Sequence, residues 1–147
     1  MVDIEYIELN EIPDVNPEFL FSWYTDVVTG YKKELGDITV IFCDDEYLLE
    51  MNREHLQHDY YTDIITFDYT EGSMVSGDLF ISLDRVRENA LSHDVAFMDE
   101  LHRVCIHGVL HLCGLKDKSE EDEKTMREAE NSALAQRMFH VEHLKSN

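Results

Sequence analysis

The segment His107-Gly108-Val109-Leu110-His111-Leu112-Cys113-Gly114-Leu115-Lys116-Asp117 sets two imidazoles four residues apart in an otherwise apolar run. On a helix, residues i and i+4 share a face, so both rings point the same way. Gly114 can take the left-handed conformation that ends a helix. The chain can then turn back and bring Asp117 towards the rings. Two nitrogens and one oxygen would hold a metal ion and leave a position for water. The competing reading is a pair of core histidines bonded to carbonyls.

A zinc-protease mechanism fails at one residue. The H-E-x-x-H motif needs a glutamate after the first histidine as general base, and here that position is Gly108. The base must lie elsewhere, or the ion itself must activate the water. Glu100, Arg103, His107 and His111 fall in line at spacings of three and four, a polar stripe on an apolar helix that implies a lined cleft. Cys105 and Cys113 flank the histidines on other helix faces and read as small core residues. His55 with His58 and His140 with His143 read as surface pairs, and His93 and His102 as structural.

Those residues need a framework, and the chain of 147 residues is long enough for one domain, 1–147, with its own core. Apolar residues make up 44%, which excludes a disordered chain. No apolar run spans a bilayer, and the acidic start Met1-Val2-Asp3-Ile4-Glu5 lacks a basic signal-peptide region. Cys43, Cys105 and Cys113 form no C-x-x-C pair, which fits a reducing cytoplasm. The net charge of −20 argues against indiscriminate binding to nucleic acid or anionic membrane. However, seven of the twelve lysines and arginines lie between Arg85 and Arg127, leaving a local positive rim available.

Periodicity gives the elements. Val2 to Leu9 alternates as an edge strand. Asn16 caps a helix that begins at Pro17 and runs to about Lys33, with Phe19, Leu20, Trp23, Val27 and Tyr31 as a core stripe. Asp37 to Cys43 reads as a strand buried on both faces. Asp44-Asp45-Glu46 opens a short helix to about His55, and a polar, aromatic loop follows to Tyr61. Asp63 to Tyr69 and Gly77 to Leu83 form a hairpin across a turn at 70–76, so the sheet is mixed. Asp84 starts a helix to about Ser92, Met98 to Cys113 is the interior helix, and Ser119 opens the last one. The expected class is α+β or α/β: one domain, a small mixed four-stranded sheet and about five to six helices, with the histidine helix central.

The histidine segment resembles the signature of the YbeY family, bacterial metal-dependent endoribonucleases, H-G-x-L-H-L-x-G-x-D-H. Asn52-Arg53-Glu54 followed by Thr62-Asp63-Ile64-Ile65-Thr66-Phe67 resembles that family's N-R-x…T-D-V-L-S-F segment. Gly77-Asp78-Leu79-Phe80-Ile81-Ser82 resembles its G-D-I-x-I-S strand. The resemblance implies an α/β fold with one Zn2+ held by three side chains, single-stranded RNA as substrate, and maturation of the 3′ end of 16S rRNA. It also implies ribosome quality control, with rRNA and the ribosome as partners. Matched by position, the ligands are His107, His111 and Asp117. The family's third histidine falls on Asp117 and its preceding aspartate on Lys116. An anionic ligand makes the ion a weaker Lewis acid and less attractive to a phosphodiester, and Lys116 and Lys118 would offset this. The family's functional arginine falls on Leu56, and leucine cannot grip phosphate. Arg53, His58 or Arg103 would have to take its place, and Arg53 and Arg103 join the two lysines as candidate catalytic residues. Two alternatives stay open: a metal-dependent hydrolase of another substrate, and a non-enzymatic ribosome-associated factor with a structural metal.

Overall fold

The computed structural model describes residues 1–145, with side chains described to Arg137 and again at His140. Four strands form one sheet: β1 (Val2–Tyr6), β2 (Glu34–Cys43), β3 (Ile64–Asp68) and β4 (Met74–Ser82), in the order β1-β2-β4-β3. β1 with β2 and β2 with β4 are parallel; β3 with β4 is antiparallel. Five helices surround it: α1 (Pro17–Gly30), α2 (Asp45–Leu56), α3 (Leu83–Ser92), α4 (Phe97–Leu112) and α5 (Glu120–Lys145). This is the expected mixed sheet, with the lower of the two helix counts.

Alternation along the strands divides the molecule. Ile38, Val40 and Phe42 of β2 and Val75, Leu79 and Ile81 of β4 face the main core, which they share with α1, α3, α4 and α5. Cys43 and Ile65 face the opposite side, where Leu48 and Met51 of α2 cover them. α4 packs against β3, β4, α1, α3 and α5, and is the central helix. Gly108 marks its closest approach to the sheet. A Cβ there would stand 2.8 Å from side-chain atoms of both Ile64 and Leu79. This position therefore points into the core, and a carboxylate placed there would not reach the histidines.

Several boundaries differ from the periodic reading. β4 begins at Met74, because Met74 and Val75 pair with Glu34 and Leu35 of β2; side-chain polarity did not reveal that backbone partner. α3 begins at Leu83, capped by the Ser82 hydroxyl, which accepts from the Arg85 N–H at 3.2 Å. Asp84 instead accepts from the Asp45 N–H at 2.9 Å and ties α3 to α2. α1 stops at Gly30, so Tyr31 lies beyond the core stripe and is exposed. All three cysteines are buried and unpaired.

His102 packs against Phe19 and Trp23, with ring centroids at 5.3 and 5.6 Å. Its Nδ1 accepts from the Arg137 guanidinium at 2.7 Å. Burial, and then the Arg137 charge, push its pKa down to about 4. The unfolded chain therefore takes up a proton near pH 6.5 that the folded chain refuses. Stability is full above that pH and falls as pH drops towards 4, by roughly 3 kcal/mol over the whole window. In His102→Phe, urea midpoints at pH 6.5 and 4.5 are expected to lie closer together than in the parent. An equal acid loss in both proteins would remove His102 as the cause. His140 also ties α5 to α1, with Nδ1 at 2.6 Å from the Ser22 hydroxyl and Nε2 at 2.8 Å from Asp26. It is thus a packing residue rather than a surface one. The side chain of His143, its sequence partner, lies outside those described.

Candidate metal centre and cleft

α4 ends as its sequence dictates: Cys113 is the cap, and Gly114 takes φ 105°. That left-handed step needs a residue without a Cβ. It reverses the chain, so Asp117 returns to the face that carries His107 and His111. The imidazole centroids are 4.7 Å apart and nearly perpendicular, at 83°. Asp117 Oδ2 stands 3.2 Å from His111 Nε2 and 3.4 Å from His107 Nε2. All three ligand atoms lie within 4.8 Å of one another, the one such group of three among the described residues.

Those spacings suit a metal. Ligand atoms at about 2.0–2.2 Å from a tetrahedral zinc stand roughly 3.3–3.6 Å apart. The tautomer is also set. His107 Nδ1 lies 2.7 Å from Glu130 Oε2, so it donates to that carboxylate and leaves the Nε2 lone pair facing Asp117. Glu130 is buried, and its other oxygen accepts from Arg103 at 2.8 Å, while Arg103 also donates to Asn131 at 2.8 Å. Burial drives the His107 pKa down, but the Glu130 hydrogen bond and the charges of Glu130, Asp117 and Asp63 outweigh it, and the net shift is upward. Burial pushes Glu130 up, and the bonds from His107 and Arg103 bring it below the usual carboxylate range.

The ligands open onto a cleft of about 690 Å³. Its walls are Leu56 and Thr62 at one end, β3 along one side, and His107, His111, Leu112, Asp117 and Lys118 opposite. A smaller cavity of about 280 Å³ shares Asp63, His107 and Asp117 with it and is lined further by Glu100, Arg103 and Glu130. The polar stripe of α4 thus faces cavities, as its spacing implied. Glu100 is buried beside His93, and burial raises its pKa. Asp63 accepts from Asn89 at 3.2 Å, and burial raises its carboxyl as well.

The candidate cations separate. Lys118 lines the cleft, whereas Lys116 is exposed and is not among the lining residues. Arg53 is exposed and held by Asp59 at 2.6 Å and Glu50 at 3.8 Å, outside the lining. Arg103 donates to Glu130 and Asn131 and lines the smaller cavity rather than the cleft. Leu56 does line the cleft, so its replacement of an arginine bears on the site directly. Glu130 was missed from sequence. The signal was present: it shares the inner stripe of α5 with Met126 and Ala133, and a carboxylate on an apolar face calls for a partner.

Comparison with known proteins identifies the family. Residues 6–138 match the family model described as Endoribonuclease YbeY. The chain belongs to the YbeY family. Endoribonuclease YbeY of Bacteroides thetaiotaomicron is 56% identical over 127 residues, covering 86% of this chain and 93% of that one. The Porphyromonas gingivalis protein of the same name is 55% identical over 129 residues, covering 88% and 85%. The solution structure of TM1509 from Thermotoga maritima superposes with a TM-score of 0.65 at 22% identity, over 97% of this chain and 93% of that one. This last likeness concerns the fold. Within the YbeY frame, the imidazole pair of α4 and Asp117 after it form the candidate metal centre.

Proposed function

We propose that His107, His111 and Asp117 hold one zinc ion, and that the site cuts single-stranded RNA in maturing the 3′ end of 16S rRNA. Membership in the family makes the chain an RNA-hydrolysing enzyme, an endoribonuclease acting in rRNA maturation. The ion, the cleavage position, the ligand set and a place in ribosome quality control are the proposed part. One observation carries it: three ligand atoms converge on one point at the wall of an open cleft. A structural zinc takes four protein ligands; three facing a cleft favour catalysis. Among the described residues no helix is long and apolar enough to cross a membrane. A cytoplasmic enzyme acting on the ribosome or its subunits fits the unpaired, buried cysteines.

When bound, the ion would supply a Lewis acid and a water activated near neutral pH. Glu130 holds His107 in the tautomer that presents Nε2. Asp117 completes the donor set and lowers its charge by one relative to a third histidine. Lys118, the only lysine or arginine lining the cleft among the described residues, would neutralise the scissile phosphate. Purified protein is expected to carry about one zinc per chain, and Asp117→Ala much less. Unchanged metal in that variant would remove Asp117 from the site. Lys118→Ala should lower RNA cleavage about tenfold with metal content unchanged, in line with about 1.4 kcal/mol for one screened charge contact. Equal cleavage and affinity in variant and parent would end the lysine's assigned role.

A further inference from the structure

The cleft that should take RNA is poorly built to hold phosphate. One ammonium, Lys118, faces three carboxylates on its walls, Asp63, Asp68 and Asp117. The whole chain carries −20. An RNA strand gripped by its backbone needs several cations along its path; beyond Lys118 and the proposed ion, the nearest are Arg103, bonded to Glu130, and Arg127, both on the smaller cavity, so contacts of another kind would add to affinity.

The loop from 57 to 63 offers one. Both of its flanks, Leu56 and Thr62, line the cleft. Between them, Tyr60 is 56% exposed. On one side its ring stacks on His58, with centroids at 5.1 Å and planes at 22°. Its hydroxyl is 2.9 Å from His58 Nδ1, which locks the two rings together. The loop itself is tied down. Asn52, buried in α2, donates to the Tyr60 carbonyl at 2.9 Å and accepts from the His58 N–H at 3.1 Å, and Arg53 holds Asp59 at 2.6 Å. Tyr61, by contrast, is occupied, with its hydroxyl on Glu46 and the Arg85 guanidinium over its ring at 5.5 Å. An exposed, hydrogen-bonded pair of rings in the segment between two cleft-lining residues, Leu56 and Thr62, suits a nucleobase, because every base has a π-face and a pre-ordered ring loses little entropy on stacking.

A second element lies along the same wall. β3 is the terminal strand of the sheet and pairs only with β4. The Asp63 carbonyl and the Tyr69 N–H point to β4. By the alternation of an antiparallel pair, the main-chain groups of Thr66 and Asp68 point away from it, towards the cleft that they line. Free donors and acceptors spaced along a strand can meet base edges without any charge.

The geometry points to base-directed recognition: the His58–Tyr60 ring pair stacks a nucleobase of single-stranded RNA, and the outer edge of β3 meets the bases that follow. This rests on the endoribonuclease reading and deepens it. Base contact makes the enzyme selective for unpaired strands, since the faces of paired bases are covered by their neighbours. It also makes affinity insensitive to salt.

Two readouts test it. In steady-state cleavage of a labelled single-stranded RNA by the zinc-loaded protein, Tyr60→Ala should raise KM about 5- to 150-fold, the range given by ~1–3 kcal/mol per stacked base. kcat should stay within about twofold, and Tyr60→Phe, which keeps the ring but loses its bond to His58, should raise KM less than Tyr60→Ala does. Binding of the same RNA to the His111→Ala protein, read by fluorescence anisotropy, should fall with log salt at a slope below about 1.5, as one or two phosphate contacts give. Abasic substitution in the RNA should weaken binding as Tyr60→Ala does. Unchanged KM in Tyr60→Ala, or a slope of about 3 or more, would overturn base-directed recognition while leaving the endoribonuclease reading intact. Failure of the zinc-loaded parent to cut RNA would sink that reading, and the anisotropy measurement would still decide the inference. The Tyr60 carbonyl bond to Asn52 survives in the alanine variant, so the loop keeps its tether.

Discussion

His111→Ala is expected to lose metal and RNA cleavage together while keeping its fold. The His111 side chain is 30% exposed on the cleft wall, so the core packing of α4 survives its removal. Alanine is also a better helix former than histidine, by a few tenths of a kcal/mol. Stability of the metal-free protein should therefore change by less than about 1 kcal/mol. The metal responds differently. Apparent zinc-binding energies of roughly 10–16 kcal/mol for four-ligand sites imply about 3–4 kcal/mol per ligand. Losing one lowers affinity on the order of 10²–10³-fold. With only His107 Nε2 and Asp117 left to hold an ion, cleavage at limiting metal should fall at least as far. Metal content, cleavage of labelled single-stranded RNA and thermal melting of the metal-free form read the three effects separately. Full metal content and parental cleavage in this variant would dismantle the proposed centre.

Glu130→Ala is the second large effect, and it acts from outside the ligand set. The Glu130 carboxylate touches neither the cleft metal position nor substrate; it is a positioning residue that holds His107 at 2.7 Å and Arg103 at 2.8 Å. Removing a carboxylate behind a ligating histidine typically costs about 10- to 100-fold in metal affinity. The fold pays as well, because Arg103 and His107 are left in a buried setting without their anion. The loss should be about 2–3 kcal/mol, below the full cost of a broken buried pair, since Asn131 still accepts from Arg103 at 2.8 Å. Glu130→Gln separates the two roles. Its amide oxygen can still accept from His107 or from Arg103, so metal affinity should fall less than in the alanine variant. Competition with a chromophoric chelator measures affinity, and urea denaturation of the metal-free form measures stability. If Glu130→Ala bound metal as tightly as the parent, the hydrogen bond would be packing alone.

These two variants separate what could be read in the chain from what could not. The i, i+4 histidines, Gly114 and Asp117 lie within one helix and its turn, and local geometry alone brings them together. The elements were legible for the same reason, because the face of each strand and helix repeats along the chain. Their ends were less so. Met74 takes its place from Glu34 on β2, which no local pattern records. Arg53 and Arg103 looked alike in sequence as phosphate-binding candidates. Only folding shows one pinned to Asp59 and the other half-buried against Glu130.

By itself, then, the sequence determined the mixed four-stranded sheet, the central helix and a three-atom centre, since each depends on periodicity or on contacts a few residues apart. Tertiary structure alone decided that Glu130, 23 residues from His107, fixes the ring. It also decided that Leu56, Thr62 and β3 share a cleft with the two histidines and Asp117, and that Lys118 is the lysine on its lining. The physical reason is separation along the chain. Hydrogen bonds and cleft walls formed by distant segments depend on how helices and strands pack, and residue spacing carries no trace of that.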